Sequence, residues 1–173
     1  MSTLKVGTIQ DNQNSNNALV INSAGVVTQP AKPMFRVDQS ADQPIADSTP
    51  TVVQFDNLSH VDAFDIGGYF NTSNYRYIPQ VAGYYFFAST VTIKAANPDY
   101  NIIFIRKNGV TQYRAVGMES NAANAWVSAH VSGIIQLNGS TDYIDVQVEH
   151  NFGSSIDTNS NFEYSNFTGF LIG

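Results

Sequence analysis

The run Gly83–Ile93, with the sequence GYYFFASTVTI, decides the fold because aromatic and β-branched residues fill most of its positions. Such residues favour a strand, and the run shows no helical periodicity. Side chains alternate between the two faces of a strand, so a run that is apolar at both parities has to be covered on both sides. One face can meet the chain's own core. Because no other segment is helical in pattern, we predict that a second subunit covers the other face.

The composition bounds the class of protein. The 173 residues suit one domain with a short appendage. The net charge is −6, and no basic cluster exceeds the pair Arg106 and Lys107, which argues against nucleic acid as a partner. No apolar run approaches the length of a membrane span, so no membrane partner is expected. The absence of cysteine excludes disulfides, thiolate metal sites and thiol nucleophiles.

Residues 1–31 differ from the rest of the chain. Two short β-prone segments, Leu4–Ile9 and Ala18–Ile21, flank a polar tract. A unit of this size is marginal in water by itself, so we predict an arm that docks on a partner or winds with copies of itself. The apolar side chains expected to carry its attachment are those of Leu4, Val6, Ile9, Leu19 and Ile21.

Short strands follow at regular spacing from residue 32, where Pro30 and Pro33 mark the domain boundary, to residue 173. Asn108-Gly109 is a strong hairpin signal. The apolar segment Tyr164–Ile172 is expected in the middle of a sheet, and Asp56–Thr72 is expected as a long loop. About eight to ten strands without helical periodicity predict an all-β sandwich or jelly roll.

Several motifs stand in a distinctive order between residues 33 and 173: Phe35, Val53–Asp56, Tyr75–Tyr77, Pro79–Phe87, Ile105–Gly109, Gly133–Ile144 and Phe167–Ile172. Together they resemble the C1q/TNF-like domain. The resemblance implies a ten-stranded all-β jelly roll that assembles as a compact homotrimer, in agreement with the doubly apolar strands. The side chains expected to pack in the trimer are Tyr84, Tyr85, Phe86, Phe104, Phe167 and Phe170.

The segments Leu4–Gln10 and Ala18–Pro30 resemble the leaders of structural proteins of tailed bacteriophages, particularly cyanophage-type fibres and decorations. This resemblance implies that the arm attaches a trimeric head to other capsid or tail proteins. We therefore expect a protein of the virion surface, made in the host cytoplasm, that serves as a capsid decoration, knob or short fibre and adheres to the host. The alternative is a soluble bacterial lectin-like trimer that binds glycans with Ca²⁺.

Candidates for catalysis or metal binding are sparse. His60, His130 and His150 stand outside any spaced ligand or catalytic motif, so we predict no catalytic residue and no enzyme. The loops contain aspartates that could bind Ca²⁺ or simply cap turns, namely Asp56, Asp62, Asp65 and Asp99. We predict no cofactor and keep Ca²⁺ as the one open candidate.

Aromatic residues beside a glycine turn are the candidates for ligand contact. Tyr69 and Phe70 follow Gly67-Gly68, whereas most other tyrosines fall on predicted strands. Tyrosine offers an apolar face and a hydroxyl group, which suits a carbohydrate. We predict receptor contact, with a host-surface glycan as the ligand, at Asp65, Tyr69 and Phe70 in the loop 56–73. The loop 119–124 is the second choice.

Overall fold

The computed structural model describes residues 5–10, 12, 15, 17–94, 100–117 and 126–173. Within these ranges the chain forms sixteen strands and no helix, and hence no helix that could cross a membrane. In chain order the strands are β1 (Thr8–Gln10), β2 (Asn17–Ile21), β3 (Val27–Thr28), β4 (Met34–Asp38), β5 (Pro44–Ile45), β6 (Thr51–Val52), β7 (Phe64–Ile66), β8 (Phe70–Asn71), β9 (Arg76–Tyr77), β10 (Gly83–Ile93), β11 (Asn101–Lys107), β12 (Val110–Gly117), β13 (Val127–Leu137), β14 (Ile144–His150), β15 (Ile156–Asp157) and β16 (Asn166–Leu171).

Two antiparallel sheets pack face to face as a sandwich. The first has the strand order β13-β10-β16-β4-β7, and the second has the order β12-β11-β14-β9-β8 with β6 also paired to β14. A small pair, β15-β5, lies beside them. This arrangement is a jelly roll, so the predicted all-β class is confirmed.

The long strand β10 is central to the first sheet. All eleven of its residues pair with β13, and its other edge pairs with β16 from Tyr85 to Thr90. Strand β16 lies between β10 and β4, so the prediction that the last apolar strand is internal to a sheet is confirmed. Odd-numbered residues of β10, including Tyr85 and Phe87, face the core, and even-numbered ones face outward.

An aromatic cluster fills the space between the sheets. Phe35 stacks on Tyr77 with 4.3 Å between ring centroids and meets the edge of Phe167 at 4.9 Å. Gly169 leaves room for these rings, because a Cβ atom there would come within 2.5 Å of Phe87 and 2.8 Å of Phe35. Full burial of each phenylalanine contributes about 1.5–3 kcal/mol. The glycine in the Phe-Thr-Gly-Phe motif is therefore a packing requirement.

The segment Asp56–Thr72 is not a plain loop, which corrects the expectation from sequence. It contains β7, paired with β4, and β8, paired with β9. Gly67 and Gly68 connect the two strands with φ values of 109° and 68°, which glycine adopts readily. The sequence pattern was misleading because each strand here is only two or three residues long.

The arm forms a small antiparallel sheet of its own, β1-β2-β3. The turn before β3 is held by the Asn22 side chain, which accepts hydrogen bonds from the backbone N–H groups of Ala24 and Val26. Among the described residues, the buried hydrophobic clusters begin at Phe35, so the arm adds nothing to the core of the sandwich. Lys32, at the start of the head, donates a hydrogen bond to the carbonyl of Ile172 at 3.1 Å.

Candidate functional site

A row of apolar side chains crosses the outer face of the five-stranded sheet. The strand register places them side by side, in the order Ile134, Phe86, Phe170, Met34 and Ile66. The rings of Phe86 and Phe170 lie 5.4 Å apart. Ile134 is 52% exposed and Phe170 43% exposed, and Tyr84 beside them is 53% exposed. A continuous apolar surface of this kind marks an interaction site.

This apolar row continues to the edge of the sandwich. Tyr113 of β12 covers Gly133 of β13 and donates a hydrogen bond from its hydroxyl to the carbonyl of Ile134 at 2.9 Å. Strand β12 is the end strand of its sheet and is exposed along most of its length, including Val110 and Val116. Edge strands of this kind tend to pair or pack with another chain.

The residues predicted to pack in a trimer fall into three environments. Tyr84, Phe86 and Phe170 lie on the open face of the first sheet. Tyr85 and Phe167 are fully buried in the core of their own chain, so the prediction of subunit contact is wrong for these two. Phe104 lies on the opposite side of the sandwich, between Arg114 and Gln147 on the outer face of the second sheet.

The outer face of the second sheet is organised around a buried carboxylate. Asp145 is fully buried and accepts hydrogen bonds from Arg106 Nε and Nη2 at 2.7 and 2.8 Å. A second guanidinium approaches the same group, with Arg76 Nε 3.8 Å from Asp145 Oδ2. Arg76 also lies over the ring of Tyr143, 4.0 Å from its centroid. Two cations therefore share one carboxylate, and one positive charge in this cluster is uncompensated.

Asp142 connects two turns at one end of the sandwich. It forms an ion pair with Lys107 at 2.8 Å and accepts hydrogen bonds from Asn108 Nδ2 at 2.8 Å and from the backbone of Asn138 at 2.9 Å. The hydrogen bond from Lys107, followed by those from Asn108 and Asn138, holds the pKa of Asp142 below its usual range. These contacts tie the β11–β12 hairpin to the turn between β13 and β14.

A second buried carboxylate, Asp38, has a different environment. Arg36 Nε and His60 Nδ1 each lie 3.7 Å from it, and within the described part of the chain neither of its oxygens accepts a hydrogen bond. Burial raises the pKa of Asp38, and Arg36 and His60 oppose the shift. His60 also stacks on Phe162 at 3.9 Å. Sequence reasoning missed this cluster, because His60 lies in a loop that is distant in sequence from Arg36 and Asp38 on β4.

The remaining histidines have structural contacts. His150 is fully buried, and its Nε2 lies 2.9 Å from the carbonyl oxygen of Ile45. Because a carbonyl oxygen can only accept a hydrogen bond, His150 Nε2 is the donor. His130 Nδ1 lies 3.0 Å from Thr90 Oγ1 on the outer face of the first sheet. Among the described residues, no three His, Cys, Asp or Glu side chains group in a way that could hold a metal ion.

The loop aspartates considered for Ca²⁺ serve mainly as caps. Asp56 accepts hydrogen bonds from the backbone and the hydroxyl of Ser40, both at 2.8 Å. Asp65 accepts one from the backbone of Phe70 at 2.8 Å. Asp62 lies near Asp38 and raises its pKa slightly. Asp99 and the loop 119–124 lie outside the described residues.

The predicted receptor-contact residues do not act as one group. Phe70 is only 7% exposed and packs 5.2 Å from Phe35, so its predicted role in receptor contact is wrong. Asp65 is engaged with the backbone of Phe70. Tyr69 is partly exposed and lines an open cavity of about 580 Å³. Of the three, only Tyr69 is placed to contact a ligand through its side chain.

The arm leaves apolar side chains at its surface. Val6, Ile9 and Ile21 are exposed, Leu19 is partly exposed, and Leu4 lies outside the described residues. A cavity of about 370 Å³ separates the arm from the head and includes Ala18 and Leu171 in its lining. Both features leave apolar surface available for contact with another protein.

The fold and the motif order agree with known proteins. The model of the C1q domain matches residues 34–172. The crystal structure of murine APRIL at pH 5.0 aligns with this chain with a TM-score of 0.61 and 13% sequence identity. The alignment covers 82% of this chain and 99% of the APRIL chain. The globular domain of zebrafish complement 1qA aligns with a TM-score of 0.56 and 14% identity, over 82% of this chain and 98% of the zebrafish chain. Eiger TNF from S. frugiperda aligns with a TM-score of 0.55 and 9% identity, over 82% of this chain and 91% of the Eiger chain. No curated protein matches the chain significantly.

Proposed function

The chain belongs to the C1q family, and on that premise we propose that it is a homotrimeric virion protein of a tailed phage, without enzymatic activity, whose N-terminal arm attaches an outward-facing head. C1q and TNF domains typically form homotrimers, and members are typically ligand-binding proteins without enzymatic activity. The observation that supports the homotrimer is the open apolar row from Ile134 to Ile66. Left in water, it would be an aggregation liability.

The position of the row supports a closed ring of subunits. The row runs across one sheet and stops beside the exposed edge strand β12. If the edge of one subunit packs on the face of the next, the two contact surfaces differ, and repetition of that contact closes a ring when the rotation allows it. Permanent interfaces of this kind are large and apolar, as is this face. We propose that Tyr84, Phe86 and Phe170 pack there.

Attachment through the arm is supported by two features. The β1–β3 sheet stands outside the buried core and exposes Val6, Ile9 and Ile21. Its sequence resembles the leaders of structural proteins of tailed phages. We propose that these apolar side chains pack on a capsid or tail protein, so that the head is displayed on the particle surface and can contact the host.

Attachment is tested with particles assembled in the presence of the full chain or of residues 32–173. We expect the full chain to copurify with particles and the truncated chain to remain in the supernatant. The matched variant Val6→Asp with Ile9→Asp keeps the chain length and should also be lost from particles. Copurification of residues 32–173 at the level of the full chain would contradict the role of the arm.

A second function, glycan binding by a soluble lectin-like trimer, is favoured by the cavity beside Tyr69. It differs from the virion proposal in two measurable ways. A lectin of this kind gives a glycan-array signal without any particle, and a calcium-dependent one loses that signal when a chelator is added. A signal that survives chelation would remove Ca²⁺ from this alternative.

A further inference from the structure

The Asp38 carboxylate is buried without a hydrogen-bond donor. It is fully buried, and within the described part of the chain neither of its oxygens accepts a hydrogen bond. Arg36 lies close, with Nε 3.7 Å from Asp38 Oδ1, but its Nη2 donates to the carbonyl of Phe162 at 3.3 Å. A buried carboxylate without a donor is costly. A group that supplied a donor to Asp38 would therefore stabilise the fold.

The His60 ring faces this carboxylate with an acceptor. Its Nδ1 lies 3.7 Å from Asp38 Oδ2. The same Nδ1 accepts a hydrogen bond from the backbone N–H of Asp62 at 3.2 Å. Because a ring nitrogen that accepts carries no hydrogen, the neutral ring holds its hydrogen on Nε2. Two acceptors thus face each other, and one added proton would turn the contact into a charge-assisted hydrogen bond.

The charged groups around the pair act in opposite directions. Burial raises the pKa of Asp38, whereas Arg36 and His60 lower it and Asp62 raises it. The neighbouring strand β16 places the neutral Asn166 opposite Asp38. Histidine ordinarily changes its charge between about pH 5 and pH 8. We therefore expect the pair to take up one proton in this range, and the proton lies between Nδ1 and Oδ2 whichever atom holds it.

Proton uptake is coupled to the turn that follows His60. Its Nδ1 cannot donate to Asp38 and accept from Asp62 at the same time. A hydrogen bond to Asp38 requires the two atoms to approach from 3.7 Å to about 2.8 Å, and the N–H of Asp62 then loses its acceptor. The turn keeps the backbone hydrogen bond from Ala63 to the carbonyl of His60. One proton therefore selects between two arrangements of this turn.

We propose that His60 and Asp38 form a proton-operated switch, in which the neutral ring holds the turn through Asp62 and the protonated ring moves onto Asp38 and releases the turn. The switch reaches the assembly face because the turn leads directly into β7, whose Ile66 ends the apolar row. Acidification should then weaken assembly, since a released turn has to be ordered again when subunits associate. This last step rests on the proposed function, in which the row is the contact between subunits.

The first test is nitrogen NMR on the unaltered full chain, with His60→Gln used to identify the ring signal. At about pH 8 the His60 ring should carry hydrogen on Nε2 alone, and at about pH 5.5 on both nitrogens. The backbone N–H signal of Asp62 should shift over the same pH range. A ring that carries hydrogen on Nδ1 at pH 8 would overturn the switch, because the bond to Asp38 would already be formed.

The second test is a double-mutant cycle of Asp38→Asn and His60→Gln, followed by urea unfolding at one fixed protein concentration. The coupling should change the unfolding equilibrium constant about tenfold at about pH 5.5, where the proton is bound, and less than about twofold at about pH 8. The matched cycle replaces His60→Gln by His130→Gln, on the same face, where Nδ1 lies 3.0 Å from Thr90 Oγ1. It should show no coupling at either pH.

Three results of the cycle would overturn the proposal. The absence of coupling at pH 5.5 would show that His60 and Asp38 do not pair. Equal coupling at the two pH values would remove the role of the proton. Equal coupling in the cycle with His130→Gln would indicate a general electrostatic effect on this face.

Light scattering on a dilution series separates this inference from the proposed function. The unaltered trimer should dissociate at a concentration about fivefold higher at pH 5.5 than at pH 8, and His60→Gln should remove that difference. Equal dissociation of the unaltered trimer at the two pH values would overturn the link to assembly. A trimer without the coupling would overturn the switch alone. A monomer that shows the coupling would overturn the assembly and leave the switch intact.

Discussion

The two outer faces of the sandwich differ in how their side chains meet solvent. The face of the first sheet carries an uncharged apolar row, from Ile134 through Phe170 to Ile66. The face of the second sheet places Arg76 and Arg106 around the buried Asp145, and its other side chains include the polar Gln147 and the apolar Phe104. Both sheets pair antiparallel and share one core, so the difference lies only in the outward-pointing residues.

This difference shows how one fold assigns separate tasks to its surfaces. An apolar row gains free energy when another subunit covers it, roughly in proportion to the area removed from water. A charged cluster would lose free energy if it were covered without a partner of opposite charge. The first face is therefore suited to assembly, and the second face is suited to contact with solvent.

The largest effect is expected from placing a charge on the apolar row. Phe170→Asp should convert the trimer to a monomer, because a carboxylate buried at a subunit contact without a partner is strongly unfavourable. The matched change Phe104→Asp, on the opposite face, should leave the mass at three chains. Light scattering measures both. If Phe104→Asp dissociates the trimer and Phe170→Asp does not, the assignment of the two faces is reversed.

A large loss of stability is expected at the centre of the charged face. Asp145→Asn should lower the free energy of unfolding by about 3–5 kcal/mol, since it leaves two guanidinium groups without their carboxylate. Glu149→Gln, on the same strand and face but partly exposed, should change it by less than about 0.5 kcal/mol. Urea unfolding at one fixed protein concentration measures both. Similar values for the two variants would show that the Asp145 cluster adds no stability.

A smaller, pH-dependent effect is expected at Asp142. Its pKa is lowered in the folded chain by Lys107, so its contribution is complete above about pH 4, the ordinary value, and is lost as the pH falls below it. Asp142→Asn should therefore lower the free energy of unfolding by about 1–2 kcal/mol at pH 7. The difference from the unaltered chain should shrink as the pH approaches 2.

The control for this prediction is Glu163→Gln, which replaces an exposed carboxylate. Its effect should stay near zero at every pH. A difference between Asp142→Asn and the unaltered chain that grows as the pH falls would contradict the sign assigned to the Asp142 shift.

The smallest effect is expected at the edge that joins the two faces. Tyr113→Phe removes the hydroxyl that donates to Ile134, and should lower the free energy of unfolding by about 0.5–1.5 kcal/mol. The ring still covers Gly133, so the mass should remain that of a trimer. Dissociation of Tyr113→Phe would mean that the hydroxyl contributes to the contact between subunits.

Local patterns made much of the fold predictable. The Gly83–Ile93 strand and the internal position of β16 followed from runs of apolar residues. The hairpin at Asn108-Gly109 followed from two residues that adopt positive φ, here 52° and 78°. Such signals need only neighbours in sequence, which is why they were correct.

The details of the candidate sites were harder to predict, for two physical reasons. In a run that is apolar at both parities, sequence alone cannot say whether Tyr84 or Tyr85 faces the core, and the trimer prediction included both. Clusters such as Asp145 with Arg76 and Arg106 join residues far apart in the chain, so no spacing motif reveals them. The burial of Phe70 depended in the same way on distant Phe35.

The central claim is that the head assembles through its own apolar face. Its most direct test is the molar mass in solution of the full chain and of residues 32–173, measured by light scattering. Three chain masses for both would place assembly in the jelly roll and leave the arm available for attachment. A monomer for residues 32–173 would contradict the claim. The arm would then drive assembly, and the apolar row from Ile134 to Ile66 would not be the contact that holds the subunits together.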